Sequence, residues 1–219
     1  MLTLAEELLL LCINDEKGTI QNSALPSLHI GLAAALLAEL SLEGRIGIED
    51  GVITVLNDAP TYDELMNEAL FKIVHSDRPR KPGYWIQQLG KNYDLLQNRL
   101  ISAMITMGVL RREGKRLLWI IPYDIYPQRN ASAKYWIKQT LRDAVLMNDA
   151  SVDQRTTALL SLLHALKILD LVFTKDERKA ARHRIEEIVK DDIFGQVVAE
   201  TIAAIDLAAA KALMATVSN

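Results

Sequence analysis

The chain has 219 residues, 50% hydrophobic and 24% charged, a composition that excludes a disordered polymer and can fill the core of one large domain. Aromatic residues make up only 5% while Ala and Leu abound, which favours packed helices over a β-sandwich. The net charge of −3 hides an asymmetry: residues 1–76 carry −9, residues 77–184 carry +10 and the remainder −4. A basic middle between acidic ends suits an anionic partner, unless its charges pair across the fold.

The N-terminal run from Thr3 to Ile13 reads as a helix, with Thr3 and Glu6 at capping-box spacing, and the polar turn Asn14 to Gly18 ends it. No basic segment precedes it, so a secretory signal is not expected. Cys12, the single cysteine, lies within an apolar run and reads as a small core residue in a reducing compartment. From Ile30 to Glu43 the sequence predicts a helix whose first charge is Glu39. Apolar on every face yet too short for a bilayer, it reads as the central core helix of a soluble domain, stopped by Gly44.

Arg45 to Ile48 and Val52 to Val55 flank Glu49-Asp50-Gly51, a hairpin signal. An amphipathic helix follows from Thr61 to Val74, then an exposed basic loop from Ser76 to Gly83, a short segment from Tyr84 to Leu89 and a helix from Tyr93 to Met107. After Gly108 the plan repeats locally. Val109 to Arg111 and Arg116 to Ile121 flank Arg112 to Lys115 as a second hairpin. From Ala133 onward helices are expected, with breaks near Asn148, Thr174 and Gly195. Among them is a core helix from Thr156 to Phe173, on which His164 reads as a hydrogen-bonded core histidine. The whole predicts one domain, 1–219, mainly α: a hydrophobic central helix bundle surrounded by amphipathic helices, with short β-hairpins.

Catalytic signatures are missing. There is no phosphate-binding loop, dinucleotide fingerprint, nucleophile elbow or zincin motif, and His29, His75, His164 and His183 are scattered. No enzyme, metal or cofactor is therefore expected. Leu117 to Ile121 is apolar on both faces directly after Arg111, Arg112, Lys115 and Arg116. A strand buried on both sides explains that pattern. So does a hairpin tip set into a membrane interface, or one that self-associates or holds a protein client. Helix–hairpin units also allow a winged-helix reading, with Gln97, Asn98 and Arg99 facing DNA bases and the basic hairpin as wing.

Several stretches, in order, resemble the Golgi phosphoprotein 3 family. They are Leu2-Thr3-Leu4-Ala5-Glu6-Glu7 with Leu8 to Leu11, Gly31-Leu32 with Leu36 to Leu40 and Gly44-Arg45-Ile46, and Asp58 to Thr61 with Asn67 to Leu70. Trp85 to Leu89, Gly108-Val109-Leu110, Asp143 to Leu146 and Ala158 to Phe173 continue the series over nearly the whole chain. The resemblance implies a helical domain with a projecting β-hairpin, peripheral on a membrane, that recognises phosphatidylinositol 4-phosphate. Golgi members hold that headgroup with a tryptophan and three arginines, retain glycosyltransferases as adaptors, and contact coatomer through a basic N-terminal extension. This sequence opens at the domain itself, so the coatomer role is not expected and a prokaryotic-type member is. The headgroup positions fall at Ala24 or Leu25, Ala33, Asp94 and Gln97. Carboxylates and apolar groups cannot make the charge-assisted bonds a phosphate requires. Lys91 and Arg99 lie nearby as substitutes, and Arg78, Arg80 and Lys81 add attraction for anionic lipid. The expected function is binding of anionic lipid headgroups at a cytoplasmic membrane surface. Self-association through the 109–121 hairpin is the alternative.

Overall fold

A computed structural model describes residues 1–117, 120–147 and 151–204, with Leu117 described in its backbone only. Helix α1 (Leu4–Cys12) starts at the expected capping box: the Thr3 hydroxyl accepts from the Glu6 N–H, and the Glu6 carboxylate accepts from the Thr3 N–H. The central helix α2 (Leu28–Leu42) begins two residues before the expected Ile30 and buries every residue from Ile30 to Leu40. It packs on α1, on α3 (Glu64–Val74), on α4 (Pro82–Gly90) and on α7 (Gln154–Ala165). Gly31 lies at this packing, where a Cβ would fall 2.6 Å from Leu166 Cδ1 and turn that side-chain end aside. Cys12 is fully buried beside it, as its apolar run implies.

At the end of α2, Gly44 sits at φ 65°, its N–H donating to Ser41 O at 3.0 Å, while Arg45 N–H donates to Leu40 O at 2.8 Å. These two bonds satisfy carbonyls that the helix end leaves open, in a left-handed turn that glycine enters without steric cost. The same device ends α5 (Tyr93–Thr106) at Gly108, with Val109 N–H on Met104 O at 2.9 Å. A hairpin follows each stop, so the helix–hairpin plan does occur twice. β1 (Ile46–Glu49) pairs with β2 (Val52–Val55) through Asp50 and Gly51, both at positive φ, as a two-residue turn demands.

Two expectations about helices and one about a turn are corrected. The Thr156–Phe173 helix is broken: α7 ends at Ala165, Lys167 takes φ 60°, and a 3₁₀ turn spans Leu169–Leu171. His164 is exposed, because it falls on the outer face of a helix whose inner face is Leu159, Leu160, Leu162 and Leu163. The break near Gly195 falls at residues 190–192, between α9 (Arg182–Val189) and helical residues 193–204; Gly195 itself lies inside that stretch and lets it approach α7, since a Cβ there would meet Ser161 Cβ at 2.7 Å. In the second hairpin, Arg112 to Lys115 is not the turn. β3 (Glu113–Leu117) and β4 (Ile121–Ile125) are the strands, because buried Leu110 and Ile125 anchor the register at the hairpin's foot. Thr174 does begin a new element, as the capping residue of α8 (Lys175–Ala180); the break near Asn148 lies outside the described residues. Helices α6 (Ser132–Leu146) and α9 (Arg182–Val189) complete the mainly helical fold.

Candidate functional site

The second hairpin is built to project. Its register pairs Glu113 with Ile125, Lys115 with Tyr123 and Leu117 with Ile121. Among the described residues, its foot is what the body of the protein holds by backbone hydrogen bonds. Leu110 bridges to Gln128, Arg111 N–H donates to Pro127 O at 3.0 Å, and Tyr126 N–H donates to Gly18 O at 2.6 Å. Gly18, at φ 64°, lies so close that a Cβ would fall 2.8 Å from the Pro127 nitrogen. Beyond Ile125 the described part of β4 is exposed, and Ile120 and Ile121 expose 81% and 57% of their surface. Ile120 and Ile121, the described side chains of this segment, are therefore not those of a strand buried on both faces. Leu118 and Trp119 lie outside the described residues, as does the side chain of Leu117.

The shaft below the tip is cationic and partly compensated. Arg111 meets Glu113 at 2.6 Å, Lys115 meets the same carboxylate at 3.7 Å, and Arg112 lies 3.6 Å from Asp124. Arg116, opposite Pro122, has no ion pair among the described residues. An apolar end on a basic stem is the arrangement that an interfacial anchor requires: side chains that leave water beside charges that favour anionic headgroups.

The five cations expected at a headgroup stand at opposite ends of α4. Arg78, Arg80 and Lys81 precede it and line a cleft of about 810 Å³ with Tyr84, Gln87 and Thr201. Arg80 is anchored there: its guanidinium donates to Asp77 at 2.9 Å and stacks 4.8 Å from the Tyr84 ring centroid, and its carbonyl accepts from Ile53 N–H at 2.9 Å. The Arg80 hydrogen bond holds the Asp77 carboxyl below the usual carboxylate range. Lys91 follows α4, about 15 Å along the helix, and donates to Gln88 Oε1 at 2.8 Å. Arg99 spends its guanidinium on surface carboxylates of α3: Nη1 donates to both oxygens of Glu68 at 2.7 Å, and Nη2 lies 3.6 Å from Glu64. Of the positions where the resemblance places headgroup ligands, Ala33 and Ala24 are core residues, Leu25, the alternative to Ala24, is exposed, Asp94 is exposed and Gln97 is half-buried on α5.

Sequence reading did not single out Lys17, Lys134 and Lys138, which the fold brings to the foot of the hairpin. Positions 134 and 138 show their shared helix face in the sequence. Lys17 reaches them through long-range contacts of its turn, Gly18 with Tyr126 and Asp15 with Lys134.

The fold defines a mainly α-helical domain that presents a basic, apolar-tipped hairpin, with no helix among the described residues long and apolar enough to cross a membrane. The chain matches the family described as Golgi phosphoprotein 3 (GPP34) over residues 4–205 and belongs to that family. It is also 23% identical over 229 residues to the vacuolar protein sorting-associated protein 74 of Schizosaccharomyces pombe. That similarity covers 87% of this chain and 66% of the relative, so the chain spans just under two thirds of the relative's length.

Proposed function

We propose that the protein is a non-catalytic, peripheral binder of anionic lipid headgroups, with phosphatidylinositol 4-phosphate as the headgroup that family membership suggests, acting on the cytoplasmic side of a membrane. The observation that carries this reading is the exposure of Ile120 and Ile121 at the end of a hairpin whose stem holds Arg111, Arg112, Lys115 and Arg116. Two isoleucines moved from water into the acyl boundary supply about 3 kcal/mol or more, and each cation near an anionic surface adds about 1 kcal/mol. Arg78 and Lys81, without ion pairs among the described residues, give a second basic edge.

Co-sedimentation with phosphatidylcholine vesicles, with and without phosphatidylinositol 4-phosphate or phosphatidylserine, tests the reading. Binding is expected to need anionic lipid and to weaken as salt rises. Ile120→Asp should weaken it about tenfold or more. No binding to anionic vesicles at low salt would sink the proposal. A second reading rests on the same exposed tip: self-association, or capture of a protein client, through the hairpin. Light scattering separates the two, since a parent chain of monomer mass with unimpaired vesicle binding argues against self-association.

A further inference from the structure

A cavity of about 860 Å³ opens where the turn after α1, the foot of the second hairpin and the first turns of α6 meet. Five cations line it: Lys17, Arg111, Lys115, Lys134 and Lys138. Against them stand three carboxylates, Asp15, Glu16 and Glu113, an excess of two positive charges. Glu113 is shared by Arg111 and Lys115, and Asp15 is taken by Lys134 at 2.6 Å. Neither Lys17 nor Lys138 has an ion pair among the described residues.

Lys134 makes this cavity unusual. Its side chain is only 3% exposed, and its ammonium donates to Ile13 O at 2.5 Å, at the carboxyl end of α1, as well as to Asp15. It also stands in the first turn of α6, where the helix dipole favours acids and where this helix has none. Lys138 follows at i+4, the spacing at which like charges repel, and burial together with Lys138 draws the Lys134 ammonium below its usual range. Positive charge has thus been concentrated on one wall at an electrostatic cost that the cavity's own carboxylates do not fully offset.

We propose that this cavity binds a phosphate monoester, held by Lys17, Arg111, Lys115 and Lys138 over a floor set by Lys134. A phosphate monoester carries about −1.5 to −2 at neutral pH, matching the excess of two, whereas a single carboxylate leaves half of it unneutralised. Lysines suit the role as point charges that adapt to a tetrahedral anion. Tyr123, on β4, and Tyr135, on α6, also line the cavity. The site shares Arg111 and Lys115 with the hairpin stem but none of the apolar residues at its tip, and it stands whether or not the protein docks on vesicles.

Amide chemical shifts followed during titration with inorganic phosphate, glycerol 3-phosphate and acetate provide the test. Both phosphates are expected to shift Lys17, Arg111 and Lys138 and to saturate, while acetate at equal concentration does not. The double variant Lys17→Glu with Lys138→Glu should lose about tenfold or more in phosphate affinity. It breaks no ion pair among the described residues, and a thermal melt checks its fold. Arg78→Glu, at the other basic edge, should leave affinity unchanged, and so should Ile120→Asp, which separates this site from vesicle docking. A soluble short-chain phosphatidylinositol 4-phosphate that binds about tenfold tighter than glycerol 3-phosphate marks a lipid headgroup as the source; equal affinity marks a free metabolite. No saturable shift, or a double variant that binds phosphate as the parent does, overturns the proposal.

Discussion

Arg155 Nη1 lies 2.6 Å from Glu39 Oε1, joining the carboxylate of the central helix to the start of α7. The other oxygen of Glu39 accepts the Leu4 N–H at 2.5 Å, one of the open donors at the start of α1. Arg155 Nη2 donates to Leu2 O at 2.6 Å and stands 3.4 Å from Glu7. One acid and one base thus hold three helices at a single point.

Removing one partner of such a mostly buried cluster strands the other charges. Arg155→Ala is expected to destabilise the protein by about 2–4 kcal/mol in urea unfolding, because Glu39 and Glu7 keep their burial and lose their counter-charge. Arg182→Ala breaks the exposed Arg182–Glu186 pair, at 2.8 Å, and should change stability by no more than about 0.5 kcal/mol. Equal effects would show that the Arg155 cluster is not what ties α7 to the central helix.

The same cluster sets a pH dependence. Burial pushes the Glu7 carboxyl from its ordinary 4.5 up to about 7, although Arg155 pulls it down. The folded protein therefore keeps a proton that the unfolded chain releases, and stability falls as pH rises through that window and is level above it. Burial raises Glu6 and Asp192 in the same direction, while burial lowers His29 and so opposes part of the slope. Urea midpoints should be lower near pH 7.5 than near pH 5, by about 1–3 kcal/mol in stability. Glu7→Gln, which stays neutral throughout, should flatten part of that slope; an unaltered slope would assign it to other groups.

How much of this was legible in the sequence depends on which residue carried each feature. Gly44 and Gly108 announce their helix ends because glycine is the residue that enters the left-handed region freely, and Asp50-Gly51 announces its hairpin for the same reason. Lys167 performs the same stop, with Ile168 N–H on Leu163 O at 3.0 Å, and nothing in its chemistry says so. The turn there is imposed by burial of Leu166 and Ile168 on either side. Lys167→Gly should accordingly stabilise the protein, by about 0.5–1 kcal/mol in thermal unfolding, as relief of the left-handed conformation exceeds the added freedom of the unfolded chain. The hairpin and the cavity at its foot were less legible. Their placement depends on contacts between residues more than a hundred positions apart, Gly18 with Tyr126 and Ile13 with Lys134, that no local pattern records.

Gly195 tests packing on the opposite side of α7. Its N–H donates to Asp192 Oδ2 at 2.7 Å, and the Cβ that alanine adds would meet Ser161 Cβ at 2.7 Å and the Ser161 carbonyl carbon at 3.3 Å. A Cβ and a backbone atom cannot swing aside as a side-chain terminus can, so the helical stretch 193–204 must shift outward. Gly195→Ala should cost about 1–3 kcal/mol despite alanine's better helix propensity. Hydrogen exchange should quicken at Val198 and Thr201 before it does in α2. A neutral or stabilising effect would mean that the two helices do not meet at this glycine.

Gly18 decides whether the hairpin is held in place. Its carbonyl accepts the Tyr126 N–H, its φ of 64° suits glycine, and a Cβ would collide with the Pro127 backbone nitrogen at 2.8 Å. Alanine there pays for both the left-handed backbone and the collision, about 2–4 kcal/mol if the foot stays docked. Undocking the hairpin's foot is the cheaper response, and it leaves Ile120, Ile121 and every cation of the stem chemically intact. Gly18→Ala is therefore expected to speed hydrogen exchange at Arg111 and Tyr126 while α2 stays protected. It should also weaken binding to anionic vesicles, because a tip on a loose stem loses conformational freedom on insertion that a docked stem has already given up. If exchange at the foot quickens but vesicle binding holds, the tip works without a rigid stem; if exchange is unchanged, the Gly18–Tyr126 contact is not what fixes the hairpin.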